Sequence, residues 1–221
     1  MFGRIATRYD LMNTLMTFGQ DARWRRVVAE LVSSTQHSAL STQHLVLDVG
    51  TGTGRLGRAV RDASPTSRIV AVDFTEPMLR IAAGLLPVAA ADALTLPFAD
   101  GQFDAVISGF VVRNLADVAA GLREQVRVLR PGGRLVVLET TPGPRGVLGL
   151  AYRFYFRRVI PLVGGLIAGD PSAYSYLPES TLAFLEPARL ADLLSELGLS
   201  GVTTRPLAFC SVAVTTGLRP A

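Results

Sequence analysis

Lysine is missing from this chain, and cysteine and histidine nearly so. All 22 basic residues are arginine, set against 18 acids for a net charge of +4. The arginines are dispersed and are not interleaved with aromatic residues, so a base-stacking surface is not expected and nucleic acid is not a partner. Attraction to an anionic membrane surface is the more useful consequence of the charge. The single cysteine, Cys210, excludes an internal disulfide framework and suits a reducing cytoplasm. Two histidines, His37 and His44, flank a Ser/Thr/Gln-rich stretch without cysteine partners, so no metal is expected. No window of about eighteen residues lacks a charge, so no transmembrane helix is expected. Residues 147–169 come nearest, and Arg153, Arg157 and Arg158 interrupt them. The N-terminus, Met1-Phe2-Gly3-Arg4-Ile5, has no apolar core of a signal peptide.

What the chain does have is one α/β domain's worth of residues, 221 in all. They are organised around Leu45-Val46-Leu47-Asp48-Val49-Gly50-Thr51-Gly52-Thr53-Gly54. An apolar run ending in an acid and then in glycines reads as a buried parallel strand that delivers its carboxyl end to a ligand. Gly50, Gly52 and Gly54 let the backbone turn and approach that ligand, and the N–H groups opening the next helix face it. Gly52 to Gly57 also fits G-x-G-x-x-G, with Asp73 about twenty residues on, as a dinucleotide site wants. The staggered acid-x-G-x-G-x-G from Asp48 to Gly54 fits an S-adenosylmethionine (SAM) site instead, in which Asp48 faces the methionine ammonium.

The downstream strands separate these readings. Strands are expected at 44–49, Arg68–Asp73, Pro87–Ala93, Phe103–Ser108 and Arg134–Glu139, alternating with helices near 54–63, 76–84 and 117–129. Two terminal strands near 201–207 and 209–215 follow a last helix at 187–198. Asp73, at the tip of strand two, is placed to accept both ribose hydroxyls of an adenosine. Asp92 can accept from the adenine amine while Ala93 donates from its backbone. With Arg113 after strand four, these groups fall at the carboxyl ends of the strands, where ligands of doubly wound sheets sit. The acids are then spent on methionine, ribose and adenine, which favours SAM over a dinucleotide.

The expected fold is a Rossmann-like, doubly wound, mostly parallel seven-stranded sheet. Residues 1–43 are either a helix pair covering the sheet or a helical lid, 44–140 the cofactor-binding core, 141–186 an insertion between strand five and the last helix, and 187–221 the closing helix and strands. The insertion is rich in aromatics (Tyr152, Phe154, Tyr155, Phe156, Tyr174, Tyr176) and reads as a substrate cap. A homodimer contact or added core are the alternatives for it.

The chain resembles the ubiquinone/menaquinone biosynthesis C-methyltransferases along nearly its whole length. The resemblance rests on Tyr9-Asp10…Met12-Asn13, Trp24-Arg25, Asp48…Gly52-Thr53-Gly54, Asp73…Met78-Leu79, Asp92-Ala93, Arg113-Asn114, Leu129-Arg130-Pro131-Gly132-Gly133, Leu138-Glu139 and Tyr174…Tyr176-Leu177-Pro178. It implies a class I SAM-dependent methyltransferase acting on a ring carbon of demethylmenaquinol or a related polyprenyl benzoquinol. It also implies a cytoplasmic protein that contacts the inner face of the membrane. SAM-binding positions implied are Asp48, Gly50, Thr51, Gly52, Thr53, Gly54, Asp73, Phe74, Met78, Asp92, Ala93 and Gly109, the last where the family often has Ser. The usual His of the closing strand is replaced by Cys210-Ser211-Val212, which receives no role.

For catalysis, Arg113 is expected to stabilise a developing phenolate, or with Asn114 to orient a water, and Tyr9 and Asp10 from the lid complete the set. The rival for Arg113 is an ion pair with a strand-end acid. Two other functions compete: a methyltransferase for another small phenol, sterol or polyketide, and a non-catalytic methyltransferase-like scaffold subunit. An NAD-dependent reductase lacks its hydride-site motif.

Overall fold

The computed structural model describes residues 10–34, 44–160 and 178–221. Tyr9, Tyr174, Tyr176, His37 and most of the expected 33–43 linker lie outside the described residues. Strands β1 (His44–Val49), β2 (Ser67–Asp73), β3 (Val88–Ala90), β4 (Phe103–Gly109), β5 (Leu129–Thr140), β6 (Ser200–Leu207) and β7 (Val212–Leu218) form one seven-stranded sheet. Its order is β3-β2-β1-β4-β5-β7-β6, with β7 antiparallel to both neighbours and the remaining pairs parallel. The strand order reverses between β1 and β4, so a crevice opens beyond their carboxyl ends.

Alternation along each strand divides the core into two layers. From β1, Val46 packs with Val28, Ile69, Ile107 and Val136 under helices α1 (Asp21–Ser33) and α2 (Arg55–Ala63). Leu47 and Val49 pack on the other face with Val106, Leu135, Leu122 and Leu194, which brings in α4 (Val118–Val128) and α6 (Pro187–Glu196). The short helix α3 (Glu76–Ala82) joins β2 to β3, and α5 (Gly146–Phe154), with the wider turn Tyr155–Val159, follows β5. Because both faces are covered, the central strands read as continuous apolar runs rather than alternating ones.

Three expected boundaries are corrected. The third strand is Val88–Ala90, not Pro87–Ala93. Beyond it the Asp92 side chain accepts from the Leu94 N–H at 2.9 Å, which turns the chain away from the ladder. Strand five starts at Leu129 rather than Arg134. The Pro131-Gly132-Gly133 segment is absorbed as an irregularity within it: Gly132 takes φ +77°, and a side chain at Gly133 would stand 2.9 Å from the Arg130 and Asp104 carbonyl oxygens. The last strand is Val212–Leu218, not 209–215, because Ala208, Phe209 and Cys210 all take left-handed φ and turn the chain first.

Candidate active site

Two neighbouring cavities share one wall. The first, of about 350 Å³, lies at the carboxyl ends of β1, β2 and β4. The loop after β1 is held open there by its own sequence. Gly50 takes φ +67°, and a Cβ on it would come within 2.4 Å of Val111; Gly52 takes φ +57° with open space around it. Asp73 fixes the loop from the next strand: its Oδ2 accepts from the Gly52 N–H at 2.8 Å and its Oδ1 from the Thr75 N–H at 2.7 Å. Of the twelve positions expected at the cofactor, eight line this cavity: Gly50, Gly52, Asp73, Phe74, Met78, Asp92, Ala93 and Gly109.

The other four do not, and Asp48 lies beneath the loop. Its carboxylate is completely buried beneath the loop, with Oδ2 accepting from Thr51 Oγ1 at 2.7 Å and from the Gly57 N–H at 2.9 Å. Through Oδ2 Asp48 therefore ties the strand tip to helix α2, while its Oδ1 is buried with no hydrogen-bond partner. Burial pushes its pKa up to about 6 against those two hydrogen bonds, with the nearby Asp73 adding to the rise. Thr51 is Asp48's donor. Thr53 donates to Asp10 Oδ1 at 2.7 Å, and Gly54, at φ +84°, precedes the first residue of α2. All four build the loop that the first eight use.

The second cavity, of about 330 Å³, is largely aromatic and aliphatic. It is assembled from the N-terminal helices, the end of β4, the segment around α5 and the turn before β7, with Trp24, Phe110, Tyr152, Phe156 and Val212 on its walls. Phe110 lines both cavities. It holds φ +60°, a strained conformation for a bulky residue, and its ring lies 6.3 Å from Trp24 and 5.9 Å from the Arg113 guanidinium. A residue kept in that conformation at a shared wall is over-determined by its surroundings, with its N–H donating to the Leu138 carbonyl at 2.8 Å.

The polar groups here are few and mostly engaged. Arg113 lines the aromatic cavity and forms a buried ion pair with Glu139, which also accepts from the Thr140 N–H at 2.8 Å. Tyr152 donates to the Thr141 carbonyl at 3.2 Å, and Tyr155 to that of Met16 at 2.9 Å. Burial raises both tyrosine pKa values, opposed at Tyr152 by Arg113, so both hydroxyls stay protonated donors. At the far wall Asp21 receives Arg25 at 2.5 Å and Arg55 at 2.9 Å. Burial lowers the Arg25 pKa, and the bond to Asp21 holds it up.

The expected catalytic group is thereby divided. Arg113 faces the aromatic cavity, while Asn114 lines the other one and donates to the Phe110 carbonyl at 3.2 Å. The short helical turn Val112–Asn114 that carries both sends successive side chains in different directions, Arg113 to one cavity and Asn114 to the other. Asp10 lines neither cavity. Its carboxylate accepts from Thr53 and its carbonyl from Arg55 at 3.3 Å, which docks the helical segment at 10–16, ahead of α1, onto the glycine loop.

With this geometry established, similarity to known proteins becomes informative. The model of the ubiE/COQ5 methyltransferase family matches residues 1–219. This chain belongs to that family. It is similar to the demethylmenaquinone methyltransferase of Thermus thermophilus, with 46% identity and full coverage of both chains. It is also similar to that of Deinococcus radiodurans, with 44% identity over 90% of this chain and 83% of the relative. In fold it is similar to a SAM-dependent methyltransferase structure from Thermotoga maritima, with 18% identity, a TM-score of 0.66, and coverage of 99% of this chain and all of the other. The protein is a SAM-dependent methyltransferase with a Rossmann-like class I fold.

Several residues of the two cavities escaped sequence reasoning. Thr75, Leu94, Val111 and Leu115 join the first cavity, and Asp21, Arg25, Phe209 and Ser211 the second. Asp21 and Arg25 did carry a readable signal, the four-residue spacing of an ion pair on a helix. Phe209 and Ser211 carried none, because their place depends on the left-handed turn before β7.

Proposed function

We infer that this enzyme methylates a ring carbon of a polyprenyl quinol, demethylmenaquinol being the substrate, in menaquinone biosynthesis. The observation that carries this reading is the apolar, aromatic cavity set against the cofactor cavity with Phe110 common to both. A flat naphthoquinol ring fits such walls, and its methylation site would lie toward the shared side. The matched relatives are named for the same substrate.

SAM, consumed as a co-substrate, supplies an electrophilic methyl group. The residues of the first cavity suit it. Each Asp73 oxygen accepts one backbone N–H and keeps a lone pair for a ribose hydroxyl. Asp92 and Ala93 offer an acceptor and a donor to an adenine edge, flanked by Phe74 and Met78. Arg113, its charge balanced by Glu139, stabilises negative charge developing on the quinol oxygen without placing a net charge in the cavity.

The isoprenoid tail leaves through the rim. Phe18, Leu148 and Phe209 line the cavity, yet are 80%, 65% and 86% exposed. Val147, Leu150 and Phe154 of α5 extend the exposed apolar surface, with Arg157 and Arg158 following. Apolar side chains beside arginines suit peripheral contact with an anionic bilayer. Among the described residues no helix is long and apolar enough to cross a membrane.

The test is transfer of radiolabelled methyl from SAM to reduced demethylmenaquinone, with a polyprenyl benzoquinol in parallel. Label is expected in the menaquinone fraction. Label in neither quinone, with SAM still binding, would move the assignment to another small phenolic substrate.

A further inference from the structure

We propose that Asp21 is the general base that takes the hydroxyl proton of the quinol during methyl transfer. The proposal rests on the quinol-methylating reading above, and it fills a gap that reading leaves: a proton acceptor on the aromatic cavity. Among the described residues, Asp21 is the one carboxylate on that cavity's wall. Glu139 is occupied by Arg113 and Thr140, and Asp10 is turned to the glycine loop. The two tyrosine hydroxyls are already donating, and arginine does not give up its proton.

Asp21 is 2% exposed and half satisfied. Its Oδ2 takes both arginine contacts, whereas its Oδ1 is buried with no hydrogen-bond partner. A buried acceptor left without a donor is costly, and a donor arriving with a ligand recovers that cost. The two arginines anchor one oxygen and so fix the orientation of the other. Arg55 is the first residue of α2, the helix that follows the glycine loop, so the carboxylate is tied to that loop as well. Oδ1 is itself sealed from solvent, so a substrate hydroxyl reaches it only as the wall around Asp21 yields, and then meets an acceptor already dehydrated and oriented.

The chemistry balances. The ring carbon beside the hydroxyl bonds to the methyl carbon while the methyl–sulfur bond breaks and leaves its electron pair on sulfur. As the bond forms the hydroxyl, of ordinary pKa roughly 10, turns more acidic and passes its proton to the Asp21 carboxylate, and Arg113 steadies the partial negative charge this leaves on oxygen. A neutral ring ketone remains. Loss of the ring C–H proton and return of a proton to oxygen restore the aromatic quinol, with one proton released overall.

The first test needs neither SAM nor a variant. 1-Naphthol and 1-methoxynaphthalene differ in the O–H, and calorimetry with the protein alone is expected to show the naphthol binding about tenfold more tightly. Equal affinities overturn the proposal. Asp21→Leu should erase the preference, and its survival would likewise overturn the assignment. In methyl transfer to reduced demethylmenaquinone, Asp21→Asn should lower kcat about 100-fold with SAM affinity little changed. Asp21→Glu should restore part of the rate, and added formate should revive Asp21→Gly. An Asp21→Asn rate close to that of the wild type refutes the role. So does a loss matched by weaker SAM binding and a lower melting temperature that formate does not relieve. If the wild type methylates no quinol while the naphthol preference persists and depends on Asp21, the substrate reading fails and Asp21 stands as the hydroxyl acceptor.

Discussion

The two cavities sit side by side but are made by different physics. The side proposed for the cofactor is built from strand ends and backbone N–H groups: Asp73 accepts from Gly52 and Thr75, and Asp92 from Leu94. Each of these bonds joins neighbouring residues or adjacent strands of the parallel sheet. The aromatic side is built from side chains whose backbones are far apart, as when Tyr155 reaches Met16 across 139 positions. One site is thus specified by local rules at the tips of a sheet, and the other by how inserted helices happen to pack over it. Mutations on the first side should disturb backbone geometry and cofactor affinity, and those on the second side turnover and substrate capture.

The sharpest way to break this contrast is at Arg113. Arg113→Ala leaves Glu139 buried without its partner, and urea unfolding should show a loss of about 3–5 kcal/mol. Removing both partners together, as Arg113→Met with Glu139→Leu, should recover most of that stability but not turnover. Recovery of both would show that the ion pair is purely structural. Next comes Gly50→Ala, which combines a left-handed φ with the clash against Val111. It should cost about 2–3 kcal/mol and weaken SAM binding at least tenfold, while naphthol binding on the other side stays unchanged.

Asp48 offers a test with a sign. Its folded carboxyl titrates near 6, above its ordinary 3.8, so the folded state holds the proton more tightly than the unfolded chain does. Its stabilising contribution is complete below the unfolded value and is lost as pH rises through about 6. Asp48→Asn keeps an acceptor for Thr51 and Gly57 and cannot ionise. It should match the wild type near pH 4 and exceed it at pH 8 by about 1–3 kcal/mol, read from urea midpoints. The smallest effect on the fold belongs to the rim. Phe18→Ser with Phe209→Ser should change stability by about 0.5 kcal/mol at most, yet reduce binding to anionic vesicles roughly tenfold. Unaltered vesicle binding would place membrane contact elsewhere.

The same contrast separates what was legible in the chain from what was not. The strand–glycine–helix pattern at Leu45–Leu56 and the acids at positions 73 and 92 were readable because a parallel strand exposes its carboxyl end wherever it falls in the sheet. Asp48 marks the limit of such a reading: pattern identifies an acid at a strand tip, not whether the following loop folds over it. Arg113 and Asn114 are adjacent in sequence and diverge in space, since a helical turn rotates successive side chains to different faces.

By itself the sequence determined the doubly wound sheet, the glycine loop and much of the wall of the first cavity, because hydrophobic period, glycine conformation and strand-end chemistry act over a few residues. Tertiary structure alone decided that Asp48 is a brace, that Phe110 divides two cavities, and that Asp21 and Phe209 share one of them. Those outcomes depend on which side chains exclude water from which others across the whole chain, and no local pattern encodes that.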